Sequence, residues 1–393
     1  MRAFRCIVTA ATAALAWAGT ANAGTVYAWG DNQWGQLGAV GPNRLSPAPV
    51  AGLTDVTLIA GGSLHSLARR ADGTVLAWGR NDNGQLGDGS NIDRFSPVTV
   101  PGLSTVASLV GGGEHSFAVL GDGTVRAWGK NGFGQLGIGT LTNSASPVPV
   151  PGLTGVASLV AGDNHSVALL TDGTVRSWGN NGHGELGDGT SIDRRSAPVV
   201  ITSLTNVRAI AAGGLHSLAA RTDGTARSWG YNGSWQLGVA ATPTSPIDGL
   251  ADVMTVAGGG AHSLALLADG TVRSWGGNTD GQLGFGGRNG RMNPVLVSGL
   301  SNIVDIVALR FASFALSADG RLWAWGENDS GQLGLGDTID RLVPTEVPAP
   351  AGYRFESIAG GDSHILALVA PIPAPSAGLL LGVAGGWTCR RRR

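Results

Sequence analysis

The chain has 393 residues, a formal net charge of -1 and a pI near 6.7. Its overall charge therefore gives no electrostatic reason to bind nucleic acid or an anionic membrane surface. Hydrophobic residues make up 42% and charged residues 13% of the sequence, which is typical of a folded chain rather than a disordered one. The 65 glycines follow no Gly-X-Y period, so a collagen is excluded and many tight turns between short strands are expected.

The first residues have the pattern of an export signal. Arg2 and Arg5 precede an apolar run over residues 7–19, and an Ala-Asn-Ala sequence ends at Ala23. A basic start, an apolar segment and a small-x-small site are the features that signal peptidase recognises. We therefore expect residues 1–23 to be a signal peptide, cleaved between Ala23 and Gly24.

A repeat of about 50 residues fills the middle of the chain. Its clearest mark is a Trp-Gly pair at intervals of 46 to 51 residues, with the tryptophans at Trp29, Trp78, Trp128, Trp178, Trp229, Trp275 and Trp325. Each pair after the first follows an Asp-Gly (Asp122-Gly123 in the third copy), which between short apolar runs predicts a tight β-hairpin. A second pair of strands is expected at 107–110 and 147–150 of that copy. Four short strands per repeat are typical of a propeller blade.

The two ends of the array complete each other. The segment from His364 to Val369 is a first hairpin strand with no Trp-Gly after it, whereas the chain from Thr25 to Trp29 begins directly on the second strand. The sequence therefore predicts an all-β, seven-bladed β-propeller with four-stranded blades. It would form one domain of residues 24–370, whose last blade is closed by the N-terminal strand.

The motifs Gly-Gly-x-x-His-Ser, Asp-Gly-Thr-Val, Trp-Gly-x-Asn and Gly-Gln-Leu-Gly resemble the regulator of chromosome condensation repeat family over nearly the whole mature chain. The resemblance implies a seven-bladed propeller with a split blade. Functions in that family include nucleotide exchange on a small GTPase, chromatin binding, plant UV-B sensing and, in secreted bacterial members, β-lactamase inhibition. Fold alone therefore does not determine function.

We interpret the repeated tryptophans as core anchors. The repeated histidines are interpreted as structural too, each making a hydrogen bond that fixes a strand end. They lie on separate blades and would not converge like zinc ligands. These histidines are His65, His115, His165, His216, His262 and His364. Known catalytic motifs are missing from the sequence, so we expect a protein that is not an enzyme and has no metal or cofactor.

Function is sought where the copies differ, because equivalent positions of successive blades form a ring. The residue two before each tryptophan predicts an apolar arc of Trp323, Tyr27 and Leu76 opposite four arginines. The arginines are Arg126, Arg176, Arg227 and Arg273. The alternative is that these are half-exposed strand positions, where arginine stems cover apolar surface.

A second variable column precedes Gly-Gln-Leu-Gly. It places Trp34, Phe133 and His183 at loop tips, and Trp235 replaces the following glycine in the fifth copy. Aromatic residues are enriched at interface hot spots. In the alternative interpretation, these side chains fold back over neighbouring blades.

The C-terminal residues 371–393 combine a proline-rich start, a short apolar stretch over 377–387 and four terminal arginines. This order resembles the PEP-CTERM class of bacterial sorting signals, although Ala374 stands where that class has glutamate. The alternative is a tail loosely associated with a membrane, because the apolar stretch is too short to span one. Both interpretations predict a protein that is secreted or held at the surface or envelope of a bacterium.

These patterns favour a monomeric, non-catalytic, exported scaffold that binds another protein through one propeller face. One alternative is a carbohydrate-binding or cell-wall-acting protein, which a carboxylate cluster converging on one face would favour. Another is an inhibitor of an extracellular enzyme. Nucleic acid is not expected as a partner, and a membrane only through the tail.

The cleavage site gives a first prediction. The exported protein should begin at Gly24, and Ala23→Arg should abolish processing because signal peptidase requires a small residue before the cut. Intact mass spectrometry of the exported protein checks both, and a wild-type chain that keeps residues 1–23 would contradict the assignment.

Overall fold

A computed structural model describes residues 24–239 and 245–373. Within these ranges the chain forms 28 strands in seven antiparallel sheets of four strands each. The sheets form a ring, which confirms the predicted all-β, seven-bladed propeller. The predicted signal peptide with Ala23, and the tail from Ala374 onward, lie outside the described residues. No helix in the described ranges could cross a membrane.

We number the blades by their Trp-Gly tryptophans, so that Trp29 belongs to blade 1 and Trp325 to blade 7. Blade 1 contains the first two and the last two strands of the chain, β1 Thr25–Gly30, β2 Arg44–Pro49, β27 Tyr353–Gly360 and β28 His364–Pro371. Blades 2, 3 and 4 follow in chain order as β3 Val56–Gly61, β4 His65–Arg70, β5 Val75–Gly79, β6 Arg94–Thr99, β7 Val106–Gly111, β8 His115–Leu120, β9 Val125–Gly129, β10 Ser144–Pro149, β11 Val156–Ala161, β12 His165–Leu170, β13 Val175–Gly179 and β14 Arg195–Val200. Blades 5, 6 and 7 are β15 Val207–Ala212, β16 His216–Arg221, β17 Ala226–Gly230, β18 Ser245–Pro246, β19 Val253–Gly258, β20 His262–Leu267, β21 Val272–Gly276, β22 Arg291–Leu296, β23 Ile303–Ala308, β24 Ala312–Ser317, β25 Leu322–Gly326 and β26 Arg341–Val347.

Blade 1 joins the two ends of the chain. Its strand order is β2-β1-β28-β27, and β1 pairs with β28 from Thr25 opposite Val369 to Gly30 opposite His364. The predicted closure by the N-terminal strand is therefore confirmed. Gly24 also donates its backbone N–H to the carbonyl of Val56 at 3.0 Å, which ties the start of β1 to blade 2.

The hairpin of blade 3 shows why the repeat folds as it does. Gly123 has φ +76°, a conformation that glycine adopts without steric cost. Asp122 Oδ1 accepts hydrogen bonds from the backbone N–H of Thr124 at 2.9 Å and from its hydroxyl at 2.7 Å. The two strands expected on either side of this hairpin are present as β7 and β10, and both are longer than predicted.

The ring has two unlike ends around a central channel of about 390 Å³, which the innermost strands line. We call one end the loop face. It carries the loops between the first and second strands and the long loops between the third and fourth strands of each blade. The opposite end, called the turn face, carries the Asp-Gly turns and the connections between blades.

Neighbouring blades are joined by a buried hydrogen-bond cluster. Trp78 Nε1 and Ser66 Oγ of blade 2 both donate to the backbone carbonyl of Gln36 in blade 1, at 2.8 and 2.9 Å. His364 Nε2 lies 3.0 Å from the same Ser66 Oγ. Because the serine proton goes to the carbonyl, the serine accepts and the histidine donates, so the imidazole carries its proton on Nε2.

We call this histidine and serine pair a latch. Latches join blades at six junctions, through His364–Ser66, His65–Ser116, His115–Ser166, His165–Ser217, His216–Ser263 and His262–Ser313. The histidine bond therefore reaches the next blade instead of fixing a strand end of its own blade. The Trp-Gly tryptophans are fully buried between blades.

Burial sets the charge of the latches. It lowers the pKa of His65, His115, His216 and His262 to about 3. It lowers the pKa of His165 and His364 to about 4. The charge on a neighbouring histidine lowers the pKa of His65, His115 and His216 further. These imidazoles are neutral at neutral pH.

The latches make stability depend on acid. Their folded pKa values lie below the ordinary value of 6.5, so the unfolded chain binds protons first as pH falls. We expect the contribution of the latches to the free energy of unfolding to be constant above about pH 7 and to fall steadily below about pH 6.5. Urea denaturation at several pH values measures this slope. His115→Gln should reduce this slope, and a flat profile down to about pH 5 would contradict the assignment.

Candidate binding face

The long loops of the loop face are built on a buried asparagine. Asn81 Oδ1 accepts the backbone N–H of Leu86 at 2.9 Å. Its Nδ2 donates to the carbonyls of Ser90 and Ile92 at 3.0 and 3.1 Å. The same bond from leucine N–H to asparagine Oδ1 occurs in every blade, at Asn32, Asn81, Asn131, Asn181, Asn232, Asn278 and Asn328. Each loop is therefore folded around its own asparagine.

A second buried side chain fixes the loop tip. Gln135 Oε1 accepts the backbone N–H of Phe133 at 2.9 Å. The equivalent bond holds the tip position in all seven blades, which is occupied by Trp34, Asn83, Phe133, His183, Ser234, Asp280 and Ser330. The backbone of the tip is thus constant while its side chain varies, which is the arrangement of a recognition loop on a rigid scaffold.

An exposed aromatic patch lies on blades 4 and 5. We define the blade-5 patch as His183, Tyr231 and Trp235. The rings of His183 and Tyr231 are 4.8 Å apart, and Tyr231 and Trp235 are 38% and 49% exposed. Trp235 has φ +65° at a position where the other blades have glycine, and its ring lies against Gly290 of blade 6. The sequence prediction did not include Tyr231, although its place directly after Trp-Gly is one where the repeats differ.

Trp34 and Phe133 are placed differently from His183 and Trp235. Both are half-buried, with the guanidinium of Arg80 at 5.0 Å from the Trp34 ring and that of Arg194 at 5.7 Å from the Phe133 ring. Each arginine belongs to the next blade. These two tips follow the alternative interpretation, in which the aromatic ring covers a neighbouring blade.

The predicted apolar arc is not continuous on the surface. Leu76 is 5% exposed and packs in the core between blades 1 and 2, so its assignment as a partner contact is wrong. Tyr27 packs against Tyr353 with ring centroids 6.2 Å apart, and Trp323 lies 4.9 Å beneath the guanidinium of Arg321. Position in the repeat did not reveal which side chains neighbouring blades cover.

The four arginines opposite that arc lie beside acidic groups. Hydrogen bonds from Thr124 lower the pKa of Asp122, and Arg126 lowers it further. Arg176, Arg227 and Arg273 act in the same way on Asp172, Asp223 and Asp269. Arg176 also donates to the carbonyl of Gly152 in blade 3 at 3.3 Å. The predicted positive arc is therefore a ring of mixed charge near the turn face.

An acidic group occupies the loop face on blades 6 and 7. Burial raises the pKa of Glu327, and the nearby carboxylates of Asp280, Asp329 and Asp340 raise it further. Asp340 also pairs with Arg288 at 3.0 Å. The sequence analysis did not identify this cluster, because its members come from loops of two blades. No three metal-ligating side chains in the described ranges are arranged to hold a metal ion.

Exposed apolar side chains are concentrated on the loop face. On its loops, seven large apolar residues are exposed, namely Val40, Ile92, Leu141, Ile192, Tyr231, Trp235 and Ile339. Near the turn face, three described residues are exposed to a similar degree, namely Val200, Leu296 and Ile372, so the loop face carries more than twice as many. An accumulation of exposed apolar side chains on one face of a protein is a feature of interaction sites.

Models of one repeat family match this chain. The regulator of chromosome condensation (RCC1) repeat matches residues 23–69, 72–119, 122–169, 172–220, 269–316 and 319–368. A second model of the same repeat matches six shorter segments, including 207–235 and 255–282. Residues 236–254, which directly follow Trp235, are matched by neither model.

Known structures share the fold. Prp20p from Saccharomyces cerevisiae, described with its binding to Gsp1p and histones, has a TM-score of 0.80 at 24% identity, covering 90% of this chain and 93% of that chain. The same yeast protein with Kap60 bound gives 0.79 at 24% identity, covering 89% and 90%. Human WBSCR16 gives 0.78 at 24% identity, covering 89% and 99%. Among curated proteins, no sequence matches the chain.

The buried glutamine of the loop gives a test of this construction. Gln332 Oε1 accepts the Ser330 N–H, and its Nε2 donates to Glu327, both at 2.9 Å. Gln332→Leu leaves both groups unpaired, so we expect the free energy of unfolding to fall by about 1–3 kcal/mol. Ser330→Ala, at the tip of the same loop, should change it by less than about 0.5 kcal/mol. Urea denaturation measures both, and equal losses would show that the glutamine does not hold the tip.

Proposed function

The chain belongs to the regulator of chromosome condensation (RCC1) repeat family, and from this premise we propose that it is a non-catalytic scaffold that binds another protein through its loop face. The observation that carries the proposal is the unequal distribution of exposed apolar side chains between the two ends of the ring. The loop face presents them on loops whose backbones are held by asparagine and by buried glutamine or glutamate side chains, so little order needs to be gained on binding.

The blade-5 patch is the proposed anchor. Tryptophan and tyrosine are among the residue types most enriched at interface hot spots, and here both are exposed, with the Tyr231 ring against that of His183. A non-glycine residue at positive φ costs stability unless something compensates. The presence of Trp235 is therefore better explained by a binding role of its side chain than by the needs of the backbone.

The relatives support a protein partner in general terms. Prp20p is described with binding to Gsp1p and histones, and the yeast protein is also seen bound to Kap60. Those interactions are properties of those proteins. For this chain, the expected signal peptide and sorting tail favour a partner in an envelope or extracellular fraction. Inhibition of an extracellular enzyme is a special case of the same binding mode.

A second candidate is a carbohydrate-binding or cell-wall-acting protein. The observation that favours it is the carboxylate cluster of Glu327, Asp280 and Asp329 on the loop face. Purified wall polysaccharide that binds or is cleaved by the wild type, but not by Glu327→Gln, would support this second candidate. It would count against the protein scaffold.

Trp235→Gly gives a direct prediction for the anchor. Glycine is the residue of the other blades at this position and has no steric cost at positive φ. We expect the variant to keep or gain stability, by up to about 1 kcal/mol, while losing at least about tenfold in affinity for its partner. Affinity capture from envelope and extracellular fractions, followed by titration of the captured protein, measures the loss.

The matched control lies near the turn face. Arg126→Ala combined with Arg176→Ala removes two half-buried cations there and should leave capture unchanged. Capture that survives Trp235→Gly combined with Tyr231→Ala, but fails in the arginine variant, would place the partner on the opposite end of the ring and overturn the proposal.

A further inference from the structure

One junction of the ring lacks the latch found at the other six. Between blades 7 and 1, Ala312 occupies the histidine position and Ile365 the serine position. The tryptophan bond remains, since Trp29 Nε1 donates to the carbonyl of Gln332 at 2.9 Å. Of the buried side-chain donors, this junction therefore keeps the tryptophan alone. At each of the other six junctions a tryptophan and a serine donate to the same carbonyl, and a histidine donates to the serine.

A third replacement shows that the change is coordinated. Where the other blades have glycine, as at Gly62 and Gly112, a Cβ would meet the Cε1 atom of the latch histidine at 2.1 and 2.3 Å. Blade 7 has Leu309 at this position, which is possible because Ala312 leaves the imidazole volume empty. Leu309, Ala312 and Ile365 are buried in one apolar cluster.

The backbone around the channel mouth has the same gap. Hydrogen bonds link successive blades from Asp362 N–H to Ser63 O, from Ser63 N–H to Gly112 O, and onward to the bond from Gly260 N–H to Arg310 O. Within the described chain no such bond joins blade 7 to blade 1. An ion pair of Arg310 with Asp362 at 3.2 Å, open to solvent, stands there instead.

The same junction holds an unpartnered buried carboxyl. Asp305 is 4% exposed, its Oδ1 accepts the Ile306 N–H at 2.9 Å, and its Oδ2 has no hydrogen-bond partner. Ile306 packs on blade 6 and Val307 on blade 1, so strand alternation places Asp305 on the side of blade 1. At this position three other blades have serine, namely Ser108, Ser158 and Ser357.

We propose that the junction between blades 7 and 1 is a pH-sensitive seam, at which the ring opens locally when the Asp305 carboxyl ionises. An ionised carboxylate without a partner is unstable in a buried apolar space, and opening brings it to water. As far as the structure describes the junctions, the seam is the one with the fewest buried side-chain hydrogen bonds to break.

The charges around Asp305 set the direction of the response. Of the strands packed against β23, β19 and β24 carry no ionisable side chain, and β20 carries only the buried His262, whose pKa is lowered to about 3. Strand β27 carries Tyr353, Arg354 and Glu356. Arg354 and Glu356 pair with each other at 3.8 Å, and no ion pair of the described residues reaches Asp305. Burial raises the pKa of Asp305 to about 8.

The sign follows from proton linkage. The closed seam keeps the proton up to about pH 8, whereas the opened seam releases it above the ordinary value of 3.8. The opening constant should therefore rise by up to about tenfold per pH unit between these values and level off above them. The latched junctions respond in the opposite direction, because their histidines favour opening as pH falls.

Thiol trapping at matched positions tests the seam. In the full chain with Cys6 and Cys389 changed to serine, Val307→Cys places a thiol at the seam and Ala211→Cys places one between blades 5 and 6. Both side chains are 7% exposed and occupy the same position of the innermost strand. Each cysteine variant is prepared in two forms, one that keeps Asp305 and one that also carries Asp305→Ser. The labelling rates of the two forms are compared at the same pH, so that the ionisation of the thiol affects both.

At the seam, we divide the labelling rate of the form that keeps Asp305 by the rate of the Asp305→Ser form. This ratio should rise about tenfold from pH 6.5 to 7.5. At the junction between blades 5 and 6 it should stay constant. A constant ratio at the seam, or an equal rise at both positions, overturns the proposal.

A restored latch provides a second measurement. The triple variant Leu309→Gly, Ala312→His and Ile365→Ser recreates at the seam the residues of the other junctions. Labelling of the thiol introduced by Val307→Cys should then slow toward the rate of the thiol introduced by Ala211→Cys. If the triple variant folds, as judged by circular dichroism, and labels as fast as before, the missing latch does not set the opening.

Discussion

The carbonyl of the loop glutamine or glutamate is the acceptor on which the ring depends. In blades 1 to 6 it receives the indole N–H and the serine hydroxyl of the next blade, and the serine in turn receives the histidine N–H. Each donor is buried, so loss of the acceptor would leave the indole N–H and the serine hydroxyl without a partner and without access to water. Because the acceptor belongs to the loop between the third and fourth strands, the conformation of the loop face and the packing of the blades are fixed by the same residues.

This coupling explains how the loop tips can vary. The buried asparagine and the glutamine amide satisfy the loop backbone, while the tip side chain contributes nothing to those bonds. Tryptophan, phenylalanine, histidine, serine and aspartate are all found at the tip on the same backbone. Recognition can therefore change by substitution at one position per blade without disturbing the buried hydrogen bonds between blades.

The architecture could be predicted from sequence because its causes are local and repeated. Asp-Gly requires a tight turn, Trp-Gly marks each blade, and the incomplete repeats at the two ends imply a shared blade. The candidate site could be predicted only in part. Leu76 and Tyr27 share a column, yet blade packing buries the first and leaves the second partly open. The contact of Tyr231 with His183 and the isolation of Asp305 arise between blades, where spacing along one repeat carries no information.

The pairing of β1 with β28 has a consequence for biosynthesis. The two strands are adjacent in space but come from opposite ends of the chain, with Thr25 opposite Val369. Contacts of such long sequence separation form slowly, and this one cannot form until the final strand has been synthesised. Blades 2 to 7 can assemble as an open arc while the chain is still growing. The newly made protein thus exposes the apolar edges of its first and last blades until translation ends, which is the period in which a chaperone would be needed.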